Sequence, residues 1–417
     1  MTFRATPTAL LLTLSISAVP FTSDAQTTDG DVPGIIDTGG TSGSPAEYVI
    51  GDTADYSWDF TSTGDLAIHV GSTTDYNKLT IQNGATADFE NEGARIGSAA
   101  GSDNNSVIVT GSTTTLSNGG ELQIGSSGSN NSLSVLNGAT VSAGTTYVGV
   151  TGTATGNTLQ VNGTNSTFST TNRLIIGHSG DGSTLIVSAG GTVNVSDYMN
   201  LGSSGGNSTI TVTGANSLLD IDSYLNVGSS SGDNNTIQVL NGGTLSVFSN
   251  IDFDSTSNGS IVVDGAGSML SSSNISLGGG SDTGNILTVS SGGIYSNTLS
   301  TFTVATGNSL RLDNGYIAWA GDNETAIASF ISNSLIEVSN GLGGWVTASE
   351  DDLTYQYYNG DNTAATSFSG YSNLGYYTII GTTSAVPEPS AFAALLGSVV
   401  LVVTSVRRPR RLTPSSK

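Results

Sequence analysis

Asn131-Ser-Leu-Ser-Val-Leu-Asn-Gly-Ala-Thr-Val141 is repeated, with small changes, as Asn235-Thr-Ile-Gln-Val-Leu-Asn-Gly-Gly-Thr-Leu245. Asn157-Thr-Leu-Gln-Val-Asn-Gly163 and Asn207-Ser-Thr-Ile-Thr-Val-Thr-Gly214 obey the same rule. Within each copy apolar residues alternate with polar ones, as in Leu133 and Val135 or Leu245 and Val247. A period of two puts those side chains on one face of a strand. The Gly and Asn that follow tolerate the left-handed backbone a sharp corner needs.

Outward from this stretch the pattern runs from Asn77 to about Trp319. The glycine closing the first strand falls at 84, 111, 138, 163, 190, 214, 242, 265, 292 and 315, with gaps of 27, 27, 25, 27, 24, 28, 23, 27 and 23. A second marker keeps the same beat: Ile96-Gly97, Ile124-Gly125, Val148-Gly149, Ile176-Gly177, Leu201-Gly202, Val227-Gly228 and Leu277-Gly278, with Phe253-Asp254 standing where one more pair is due. Each unit of about 26 residues therefore holds about three short strands, which is one coil of a right-handed parallel β-helix. A propeller blade needs about 40 residues, and leucine-rich repeats would include a helix. An antiparallel sandwich would not hold one spacing ten times over. The expected fold is all-β: a solenoid of about ten or more coils, roughly 50 Å long at ~4.8 Å per coil.

Such a rod has two open ends, and unpaired edges invite aggregation. Residues 26–76 read as an N-terminal segment with the first irregular coils, where Trp58 and Phe60 are available to cover the end. Residues 77–319 are the repeats and 320–385 a β-rich cap. The aromatic residues from 310 onward, among them Tyr316, Trp319, Trp345, Tyr355 and Tyr377, suit packing at a solenoid end, with a carbohydrate-binding surface as the alternative.

There is no cysteine, so the fold rests on its core and on backbone pairing. The net charge is −23 over 417 residues. Only Lys78, Arg95, Arg173 and Arg311 are basic between 26 and 385. That excludes nucleic acid as a partner, because phosphates need clustered cations. The Gly-, Ser-, Thr- and Asn-rich composition is shared by disordered chains and β-solenoids, and the apolar alternation argues against disorder.

Both termini read as addresses. Arg4, the apolar stretch Ala9 to Phe21 and Ser23-Asp24-Ala25 form a secretory signal peptide over 1–25, cut after Ala25. At the other end Val386-Pro387-Glu388-Pro389 precedes an apolar run over 391–406 and then Arg407, Arg408, Arg410 and Arg411. The sixteen residues make roughly 24 Å of helix, slightly short of the ~30 Å hydrocarbon core, and the segment is expected to be a transmembrane stop-transfer helix with the arginines held inside.

Motif, helix and basic stop together, over 386–411, resemble the PEP-CTERM sorting signal. The resemblance implies an exosortase-type processing enzyme as partner, acting at the Pro-Glu-Pro motif. It also implies a transient membrane anchor, followed by release to the cell surface or extracellular matrix. The repeats resemble those of autotransporter passengers and β-helical adhesins. Fewer than 80 residues separate the last repeat from the tail, which leaves the tail as the expected anchor.

Chemistry is harder to find. Asp220 with Asp222, and Asp252 with Asp254, pair carboxylates on strand faces, but in the repeat register Asp220 matches Ser246 and Asp252 matches Asn226, so the pairs sit on different walls. Arg173 and Arg311 are about five coils apart, and His69 and His178 about four. Asp103, Asp181, Asp233 and Asp282 recur at the corner before the first strand, where they act as turn formers or, with carbonyl oxygens, as calcium ligands. Calcium is the only cofactor this pattern suggests, and no catalytic or metal residue is assigned. The expectation is a non-enzymatic surface or matrix rod, adhesin-like or purely structural, facing extracellular polysaccharide or neighbouring cells. The alternative is a β-helical polysaccharide lyase or hydrolase acting on envelope glycans.

Overall fold

A computed structural model describes residues 35–37, 39–50, 57–59, 68–89, 93–253, 255–279, 282–299, 301–358 and 377–383. The expected signal peptide with Ala25, the Val386–Pro389 motif, the apolar run at 391–406, Arg407, Arg408, Arg410, Arg411, Phe60 and Asp254 lie outside these residues. No described helix is long and apolar enough to cross a membrane.

The chain is a stack of about ten parallel coils, a β-solenoid. Each coil supplies three strands, and these define three walls. First strands such as Ser132–Leu136 and Thr158–Asn162 pair in parallel, in strict register, through a 13-stranded sheet. Second and third strands, such as Thr167–Thr170 and Leu174–Ile176, form a 22-stranded sheet. It is continuous because Thr115–Ile124 and Thr140–Val148 each run through the corner between the two walls. Parallel pairing reaches back as far as Ala46–Ile50 against Asn77–Ile81 and Ile35–Ile36 against Ile68–Val70. Ser57–Asp59, which carries Trp58, pairs with Thr86–Asp88.

Inward positions stack like on like. Val109, Val135, Val161, Val187, Val212, Val239, Val263 and Val289 form one fully buried column of the first wall. A β-branched side chain on a pleated strand has one χ1 well to keep, so a valine column packs at little entropic cost. Burying each is worth about 1.5–3 kcal/mol, and each coil realises that gain only against its neighbours.

Two internal ladders join the coils. In the first, asparagines at the mouth of the first strand are fully buried: Asn77, Asn105, Asn131, Asn157, Asn235 and Asn285. Their Oδ1 atoms accept the backbone N–H one coil earlier: Asn77 to Asn105, Asn105 to Asn131 and Asn131 to Asn157, each at 2.8 Å. Ser183 and Ser208 occupy two rungs, and the ladder resumes where Ser208 donates to Asn235 at 3.0 Å. The apolar-glycine marker belongs to this device. A Cβ on Gly97 or Gly125, both at φ +71, would run into the side chain of Asn131 or Asn157.

The second ladder shows that the structural repeat is two coils rather than one. From the asparagine-ladder residue to the closing glycine is seven residues in one coil (Asn131 to Gly138) and six in the next (Asn157 to Gly163). The alternation continues through Ser183–Gly190, Ser208–Gly214, Asn235–Gly242 and Gly259–Gly265. The first kind of turn is tight, with positive φ at both Asn137 and Gly138. The second is one residue longer and ends in Thr114, Ser166, Ser217 or Ser268. Each of those hydroxyls accepts the glycine N–H of the tight turn before it, from Gly84, Gly138, Gly190 and Gly242, at 2.9–3.0 Å. Each also donates to the carbonyl four residues back.

The far end is closed. Tyr377–Thr382 adds antiparallel to both Tyr316–Ala320 and Leu353–Tyr358, and Trp345–Thr347 adds antiparallel to Ile336–Ser339. The cap is β-rich, as expected. The structure adds one helix, Glu324–Ser332, which buries Ile327. Phe330 of that helix stacks on Trp319, and Phe302 meets both rings edge-on. Trp319 is thus a core residue, 2% exposed. Tyr316 and Tyr377 pack half-buried against Ala318 and Ile379.

Candidate functional site on the third wall

The acidic corner is structural in its bonding. The Asp75 carboxylate accepts the N–H of Asp103, and Asp103 that of Ser129, at 2.8 and 2.7 Å. Asp181 and Asp233 cap Gly206 and Ser257 in the same way. Among the described residues no group of three His, Cys, Asp or Glu side chains could hold a metal ion. Asp220 and Asp252 pair with Ser246 and Asn226 on the second and third walls, the register expected from the sequence, and do not converge.

The cations divide by wall. Lys78 and Arg311 lie on first-wall strands, and each is paired: Lys78 Nζ to Glu47 at 2.8 Å and Arg311 Nε to Glu337 at 2.6 Å. Arg311 also lies 5.3 Å from the Trp345 ring centroid. Arg95 and Arg173 belong to the third wall and make no ion pair with a described residue. Arg95 shares one outward column with His69, Gln123 and Tyr147 on successive coils. Arg173, Tyr198 and Tyr224 each immediately precede a third-wall strand, those starting at Leu174, Met199 and Leu225.

These side chains form a built column. Arg173 Nη2 donates to the Tyr147 hydroxyl at 2.6 Å and Nη1 to the Tyr198 hydroxyl at 2.8 Å. Its guanidinium carbon lies 5.6 Å from the Tyr147 centroid and 6.0 Å from that of Tyr198, within cation–π range. Tyr198 and Tyr224 stack at 5.0 Å with ring planes 5° apart, and His178 meets Tyr147 edge-on at 5.5 Å. Ile175 points outward in register, yet its surroundings leave it only 3% exposed. The hydrogen bond that Arg173 donates to Tyr198, with the Tyr147 contact, raises the Arg173 pKa, so the cation is secure. Burial, then Tyr198 and Asp197, push Tyr224 up, which keeps its hydroxyl protonated. His69, half-buried on the same wall, is held below its ordinary value by burial and by Arg95, and its Nδ1 contacts Ser98 Oγ at 2.8 Å.

In the sequence Arg173 lies about five coils from Arg311 along the axis, with no acidic cluster in register. The structure also separates the two onto different walls and gives Arg173 a tyrosine cage that the sequence reading missed. The signal was present: Arg173, Tyr198 and Tyr224 each stand three residues before the apolar member of a marker pair, Ile176, Leu201 and Val227. The column can hold an anion through the unspent guanidinium N–H groups and can hydrogen-bond hydroxyls through the tyrosines and the exposed Asp197. Comparison with family models, with curated proteins and with solved structures returns no match.

Proposed function

We propose that the protein is an exported surface or matrix rod, sorted through its 386–411 tail and working by presentation of a long rigid face rather than by catalysis. The observation that carries this reading is that two ladders inside the stack bond coil to coil. They use the buried asparagines and the corner hydroxyls to hold coil to coil, and leave outward rows that are mostly Ser, Thr, Asn and Gln, with Ile108, Ile186 and Val262 among them. Rows of Ser, Thr and Asn on stacked coils offer many weak contacts, and multivalency turns these into adhesion. The asparagine ladder itself is buried. The presented rows are therefore the outward Ser and Thr positions and the third-wall column.

Cells carrying the full chain and cells carrying a version ending at Ala385 would be fractionated and compared in an aggregation assay. The expected result is a surface form whose mass lacks Ala391 to Lys417, and loss of surface retention and of aggregation on truncation. Full-length mass in the cytoplasm, or unsaturated sugar products released by the purified protein, would overturn the proposal.

A further inference from the structure

We infer that the third wall around Arg173 and Arg95 is a binding site for an acidic polysaccharide, a chain of uronate-type sugars lying along the rod axis. The inference rests on the extracellular reading above and names the ligand class of that surface. Its first support is the distribution of charge. In a chain of net charge −23, the two first-wall cations are neutralised by glutamates, whereas both third-wall arginines are left without a described carboxylate partner. Unspent cations on one wall of an acidic rod select a ligand that brings its own negative charge.

The second support is preorganisation. Two of the five guanidinium N–H donors of Arg173 are fixed by tyrosine hydroxyls, which orient the fork without neutralising it. The remaining donors match a carboxylate. The faces of Tyr198 and Tyr224 are turned to each other, so this surface offers hydroxyl edges instead of a stacking platform. It therefore suits a ligand rich in hydroxyl groups as well as charge.

The third support is length. Arg95 and Arg173 stand three coil steps apart, through the strands at 122–124 and 146–148, which is about 14 Å at ~4.8 Å per coil. One small anion cannot reach both, and a polymer can. Nucleic acid is a poorer fit, since Tyr198 and Tyr224 stack on each other and leave no free ring platform for bases.

Binding of the full chain to polygalacturonate, to its fully methyl-esterified form and to monomeric galacturonate tests the inference. The acidic polymer should be retained, and the ester and the monomer at least tenfold less. Arg173→Gln should weaken polymer binding about tenfold and Arg95→Gln measurably, whereas Arg311→Gln should leave it unchanged, with circular dichroism confirming the coil stack in each. Equal binding of polymer and ester overturns the inference, as do monomer binding as tight as polymer and wild-type affinity in both third-wall variants. Should Arg173→Gln fail to fold, the exposed Arg95 variant and the ester comparison still decide. Surface location in the fractionation assay stands or falls separately, so failure here is distinguishable from failure of the broader proposal.

Discussion

The side-chain oxygen of Asn157 accepts the backbone N–H of Asn131, 26 residues earlier and one coil away, at 2.8 Å with both residues fully buried. Its Nδ2 donates to the Ala154 carbonyl at 2.8 Å, so one side chain satisfies two main-chain groups that water cannot reach. Leaving such a group unpaired costs about 1–3 kcal/mol. Asn157→Ala should therefore lower stability by that order and speed hydrogen exchange at the Asn131 amide. Asn157→Ser should cost less, since serine already fills this rung at 183 and 208.

Two glycines provide a matched pair of substitutions. Gly125 has φ +71, and an added Cβ would strike the Asn157 side chain, whereas around Gly152 nothing lies within 4 Å. Gly125→Ala should destabilise by about 1–3 kcal/mol through strain and overpacking. Gly152→Ala should stay within about 0.5 kcal/mol of the parent. Denaturant midpoints of the two variants check the contrast.

Asn-Gly pairs at tight corners are chemically fragile, because the glycine nitrogen can attack the asparagine Cγ, expel ammonia and leave a ring that water opens to aspartate or isoaspartate. At Asn137-Gly138 that nitrogen donates its hydrogen to Ser166 Oγ at 2.9 Å. Ser166→Ala removes the acceptor. We expect faster isoaspartate formation at Asn137 on prolonged storage, read by mass spectrometry, with a stability cost of about 1 kcal/mol from the lost bond.

Acid should loosen the first coil. Partial burial raises the Asp37 pKa, but hydrogen bonds from the N–H and hydroxyl groups of Thr73 and Thr74 outweigh it and bring the value to about 2. A depressed folded pKa means the carboxylate stabilises the coil fully above its unfolded value of about 3.9 and loses that contribution as pH falls toward 2. Amide exchange at Thr73 and Thr74 should rise across that window, and Asp37→Asn should remove most of the dependence. The group follows the Ile35–Ile36 strand at the end of the stack, so the effect is local.

The coil stack was legible because period-two alternation and the glycine beat are local consequences of strand pairing and corner geometry. The scatter of the glycine gaps, from 23 to 28, already held the two-coil alternation. It stays hidden until the gaps are measured from the asparagine-ladder residue. The third-wall column was harder to see, because Tyr147 and Arg173 meet through register across coils and turn lengths vary between them. The helix at 324–332 was missed for another reason: Glu-Thr-Ala-Ile-Ala-Ser-Phe-Ile-Ser is short and of mixed propensity, and its packing on Trp319 decides its form.

The alternation of tight and long corners also sets how this shaft can change length. Duplicating a 52-residue block such as Asn131 to Gly182 extends the rod by about 10 Å and keeps every tight-corner glycine opposite a hydroxyl. Adding or deleting a single coil sets two like corners against each other, and where both are tight the glycine N–H has no hydroxyl opposite it. The chain does this at one described place, where the Gly292 N–H turns to the Asn314 carbonyl, and there the regular stack gives way to the cap. Relatives of different reach should therefore differ by even numbers of coils, and a designer lengthening the shaft should count in pairs.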